Sequence, residues 1–212
     1  MNRLFIYLFL ALLTGCWTRD TTVATKEELL AWVSLKKNGY TGSKVVGEVK
    51  YTCKVLPSLY LAWRDMELED GLDPDRLDEV RARYDSSLVF LFNISPEDPE
   101  ADWDVMTANV EDYEGYREKV KKMSFDMNDN FSLLIDGESR RPAIVRLENH
   151  YGIKRGRNLT LVFDLEGATQ EELFRKRFAL AYDDDLFHSG KTRFHFQDLK
   201  TLPKINTIAE RK

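Results

Sequence analysis

The residues that could do chemistry are few and scattered. Asp183, Asp184, Asp185 and His188 crowd one turn. Carboxylates at that density could hold a divalent ion through hard oxygens. Asp183 and Asp185 could also share general acid–base work in an envelope-polymer hydrolase, which needs two carboxylates about 5–10 Å apart. The spacing fits no metal site, and a charged solvent turn is the simpler expectation. Asp126-Met127-Asn128-Asp129-Asn130 begins like an EF-hand loop. Its sixth position is Phe131 instead of glycine, and its twelfth is Gly137 instead of a bidentate glutamate. The loop at residues 73–78 fails in the same way. There is no Gly-x-Ser-x-Gly elbow, no H-E-x-x-H and no phosphate-cradling glycine loop. The sequence thus names no catalytic residue, no metal ligand and no cofactor.

A binding surface is easier to read. The stretch His150-Tyr151-Gly152-Ile153-Lys154-Arg155-Gly156-Arg157 is locally basic in a chain of net charge −5. Arg140 and Arg141 could join it if residues 143–151 and 158–165 form a hairpin, and Lys176 and Arg177 could extend it. The plain reading is a solvated turn that keeps a sheet edge soluble. The sharper one is a docking patch for an acidic partner, a glycan or a lipid headgroup, with Tyr151 as an aromatic contact. Trp103 stands out in Asp102-Trp103-Asp104, either as an anchor into the core or as an exposed contact. Trp63, Trp103 and Tyr151 are the aromatics that could line a ligand cleft. His150 and His195 fall on polar strand faces. Cys53 falls on an apolar face, as a buried thiol with no cationic neighbour in sequence to activate it.

The amino terminus says where such a surface would work. Arg3 precedes an apolar run at residues 4–13 and then Leu13-Thr14-Gly15-Cys16. The run has about ten residues against the roughly twenty that span a bilayer, which describes a secretory signal peptide. The segment resembles a bacterial lipoprotein signal with its lipobox. That resemblance implies cleavage before Cys16, with diacylglycerol on its sulfur and a fatty acyl group such as palmitate on its new amino terminus. More than one chain makes anchoring stable. The residue after Cys16 is Trp17, not the aspartate that retains some lipoproteins in the inner membrane, so the outer membrane is the expected address. An acidic body is not drawn to nucleic acid by its charge.

The elements that must position these residues follow from periodicity. Thr25 with Glu28 marks a helix start, with Leu29, Trp32 and Val33 as its apolar face and Asn38-Gly39 as its stop. Residues 44–56 alternate and read as one long strand. A helical pair follows over residues 58–84, and Asp73-Pro74 opens its second member. Residues 87–94 are apolar on both faces, as in a central strand. A polar loop and a helix at about 111–123 look inserted before the next strands. Residues 131–135, 143–151, 158–165, 177–182 and 192–199 then read as strands, separated by Asp136-Gly137, Glu166-Gly167 and Ser189-Gly190 turns.

The expected organisation is a signal at residues 1–15, a lipidated cysteine and tether at 16–24, and one domain at 25–212. The expected fold is mainly β, an antiparallel sandwich, immunoglobulin-like or related, with several inserted or flanking helices. The expected role is a non-enzymatic binding or scaffold module for another envelope component, with a glycan- or small-ligand-binding lipoprotein or an envelope-polymer hydrolase as the alternatives.

Overall fold

A computed structural model of the chain describes residues 22–69, 74–148 and 155–205. The elements run β1 (Thr22–Val23), α1 (Lys26–Ser34), β2 (Thr41–Val46), β3 (Val49–Leu56), α2 (Ser58–Glu69), α3 (Pro74–Ala82), β4 (Ser87–Pro96), α4 (Tyr113–Phe125), β5 (Phe131–Ile135), β6 (Glu138–Arg140), β7 (Ile144–Leu147), β8 (Arg157–Asp164), α5 (Gln170–Phe174), β9 (Phe178–Asp184), β10 (Gly190–Phe196) and β11 (Lys204–Ile205). One antiparallel sheet has the order β2-β3-β4-β8-β7 and a second the order β10-β9-β5-β6. The fold is mainly β, two antiparallel sheets packed as a sandwich with flanking helices.

Alternation explains the packing. Leu159, Leu161 and Phe163 of β8 are fully buried, whereas Asn158 and Thr160 face outward. Phe194 and Phe196 turn inward, while His195 is exposed. The inward residues of the two sheets meet in an aromatic core. Phe92, on the central strand β4, has its ring centre 5.0 Å from Phe131, 4.9 Å from Tyr182 and 5.8 Å from Phe194. Cys53 lies in the same core, and burial pushes its thiol pKa well up.

Several elements depart from the expected ones, among them β6 and α5, which were not expected. The strand expected over residues 44–56 is a hairpin, because Gly47 at φ +60° makes the two-residue turn that pairs Val46 with Val49. The strand expected over residues 143–151 is β7, which ends at Leu147. The Glu148 N–H then donates to the Asn158 carbonyl at 2.9 Å. Thr22 and Val23, expected in the tether, form a parallel pair with Lys204 and Ile205.

Caps fix the helices. Thr25 accepts from the Glu28 N–H at 3.2 Å, and Thr169 and Glu172 form a reciprocal capping box on α5. Leu30 of α1 and Tyr60 and Leu61 of α2 cover the outer face of the first sheet around Val89 and Val162. The sandwich therefore has two distinct ends. The β1–β11 pair, α5 and the start of α2 gather at the lower end. The turns at residues 46–49, 103–109 and 185–189 gather at the upper end.

Candidate functional site

Asp184 organises the upper end. It is 4% exposed and accepts five hydrogen bonds: from the hydroxyls of Tyr182 and Tyr51, each at 2.9 Å, and from the N–H groups of Leu186, Phe187 and Ser189 at 3.1, 3.3 and 3.0 Å. Desolvation pushes its pKa up, but the bonds from Ser189, Tyr182 and Tyr51 outweigh that, and the carboxyl titrates below its ordinary range. Its neighbours are bound elsewhere, Asp183 to Lys191 at 3.3 Å and Asp185 to Lys122. His188 is exposed. This charged turn shapes a surface, and among the described residues no group of three or more histidine, cysteine or carboxylate side chains is placed to hold a metal ion.

The surface it shapes is a cleft of about 430 Å³, lined by the 46–49 turn, Trp103, Ala108, Asn109, Phe187 and Ser189. Trp103 is half-buried, with its ring centre 5.9 Å from that of Phe187. It packs against the core and is one of the residues that line the cleft. Lys119 lies 4.8 Å from the centre of the Phe187 ring and donates to the Ala108 carbonyl at 2.7 Å. Desolvation lowers the Lys119 pKa, against an opposing pull from Asp104 and Asp184.

Arg157 and Arg155 flank this cleft's loops. The guanidinium of Arg157 donates to Asp104 at 2.9 Å and to the Gly156 carbonyl at 2.8 Å, with its side chain 13% exposed. Asp104 also accepts from the Met106 N–H at 2.7 Å, and the Arg155 carbonyl accepts from the Val105 N–H at 2.9 Å. The Trp103 loop is thus clamped to the start of β8. Gly156 allows it, since a Cβ there would lie 2.9 Å from the Ile94 carbonyl oxygen. The Arg155 side chain is exposed.

The other basic candidates do not join this group. Arg140 pairs with Glu166 at 3.2 Å and Arg141 pairs with Asp129. Lys176 pairs with Asp136 at 2.7 Å. Trp63, one of the aromatics expected at a cleft, is fully buried. His150, Tyr151 and Lys154, and the lipidation candidate Cys16, lie outside the described residues. Sequence reasoning missed Phe187, which a charged turn concealed, and Asn109, whose φ of +56° carries no sequence signal of its own. Asn93 and Asn158, which open two glycosylation-like triplets, are bonded to each other across the sheet at 2.8 Å.

No protein-family model matches the chain, and no curated protein matches it by sequence. Among solved structures it is similar to a DUF4426 family protein from Pseudomonas aeruginosa, at 11% identity over 74% of this chain and 91% of that one, with a TM-score of 0.36. It is also similar to a candidate lipoprotein from Staphylococcus aureus, at 10% identity over 79% and 99% of the two chains, with a TM-score of 0.26. Both are weak likenesses of shape. No described helix is long and apolar enough to cross a membrane.

Proposed function

We propose that the protein is a lipid-anchored module of the bacterial envelope that binds another envelope protein without catalysis. Residues 1–15 are its signal, acyl chains on Cys16 hold it to the membrane, and the outer membrane is its address because Trp17 follows the cysteine. The observation that carries the reading is the placement of the surfaces. The Trp103–Phe187 cleft, with Arg155 and Arg157 beside it, lies at the opposite end of the sandwich from β1, where the tether begins. A module built this way points its aromatic surface, with the exposed Arg155 near it, away from the bilayer. Aromatic and arginine side chains are the types that interfaces favour.

The test places a photo-crosslinking residue at Asn109, in the cleft, or at Glu171, at the lower end, in the acylated chain within its native membranes. One envelope protein captured from Asn109 and not from Glu171, and lost with Trp103→Ala, is the expected result. The same partners from both positions would sink the reading. A second reading, a glycan in the same cleft, is favoured by the Trp103 ring standing beside the polar Glu48, Asn109 and Ser189. A saturable change in tryptophan fluorescence on adding envelope glycans, absent in Trp103→Phe, would support it.

A further inference from the structure

A second cleft, of about 540 Å³, lies at the lower end, within the size range of ligand pockets. Leu59 and Leu77 from α2 and α3, Phe174 of α5, and Leu202 and Ile205 from the C-terminal strap form apolar walls. Its floor is polar, hydrogen-bonded and buried. Ser58 and Gln170 are each 2% exposed. The Ser58 N–H donates to Gln170 Oε1 at 2.9 Å, and Gln170 Nε2 donates to the Ser87 carbonyl at 2.7 Å. Arg81 reaches this floor, its Nε donating to Ser58 Oγ at 3.2 Å, with Asp85 only loosely placed at 3.9 Å. Arg175 pairs with Glu171, and Lys200 and Lys204 stand against Asp78 alone, so the lining carries a local excess of cations in an acidic chain.

We propose that this cleft holds the acyl chain of a free anionic amphiphile, a fatty acid or monoacyl lipid, with its carboxylate or phosphate beside Arg81. Apolar walls ending at a cation on a polar floor complement an alkyl chain ending in an anion, and a guanidinium pairs well with either headgroup. The strap at residues 199–205 closes one wall, joined by the β1–β11 ladder, by Tyr40 donating to the Lys200 carbonyl at 2.9 Å and by the Lys200 N–H donating to Asn38 at 3.1 Å, with Leu199, Leu202 and Ile205 packed against the core. The bilayer as its source rests on the anchor proposed above, since the six residues from Cys16 to Thr22 reach at most roughly 20 Å.

The test labels the purified, acylated full chain with palmitate carrying a diazirine and maps the label by peptide mass spectrometry. The label should fall on peptides containing Leu77 or Leu202 and be competed away by unlabelled palmitate. Arg81→Gln should weaken palmitate at least about tenfold and leave hexadecanol unchanged. Leu77→Trp should abolish labelling, with Thr201→Trp at the strap as a second blocking variant should the first fail to fold. Label spread over the surface without competition, or equal loss of palmitate and hexadecanol with Arg81→Gln, would overturn the proposal. So would labelling of the cleft only in a Cys16→Ala chain, which would mean that the protein's own anchor fills it. Cleft labelling in a chain whose Cys16 takes up no acyl group would sink the anchor reading alone.

Discussion

Asp184 is buried, charged and fully hydrogen-bonded, so its contribution to stability depends on pH. An unfolded aspartate titrates near 3.9, and the folded one lies lower. Its contribution is therefore complete above about pH 4 and is lost as pH falls through the folded value. Asp184→Asn should cost about 2–3 kcal/mol at pH 7, because an amide cannot accept all five donors. It should also flatten the acid limb of a stability–pH curve measured by urea melts, and an unchanged acid limb would contradict the assignment. Thr192 is the converse case. Its hydroxyl is buried with no partner among the described residues, so Thr192→Val should stabilise by about 1 kcal/mol in the same assay. Neither role was legible in the sequence. Three successive aspartates look alike until the fold turns one inward, and the strand alternation shows only that Thr192 shares a face with Phe194.

The strands were the most legible elements, because a sheet with one wet face writes its period into the chain. Residues 158–165 and 194–196 show it plainly. The β2–β3 hairpin was not legible because Val45 and Val46 are exposed, 46% and 36%, and continue the apolar alternation into β3. Only Gly47 marked the break. The connection to β8 depends on another glycine. Gly156→Ala would drive a Cβ against the Ile94 carbonyl and Ser95, and backbone cannot yield as a side-chain tip does. A loss of about 1–3 kcal/mol is expected, together with loosening of the Arg157–Asp104 clamp. Thermal melts and the fluorescence of Trp103 against a Trp103→Phe control would report both, and a melt within error of the wild type would refute the close packing.

At the scale of the molecule, the sequence foretold a β sandwich and singled out Trp103, but not the clefts. Each is assembled from segments far apart in the chain, such as Leu59, Leu77, Phe174 and Leu202 at the lower end, and no local pattern records their meeting. The anchor is tested by growth with radiolabelled palmitate. The label should co-migrate with the protein and disappear with Cys16→Ala, and label that persists in the variant would place acylation elsewhere. In a chain so anchored, the β1–β11 ladder acquires a mechanical meaning. Any tug between membrane and partner is transmitted first through Thr22 and Val23, which two residues of parallel pairing hold to Lys204 and Ile205. Val23 is also buried in the core with Ile205 packed against that core, so a pull on an anchored tether would reach the packed interior at its first described residues.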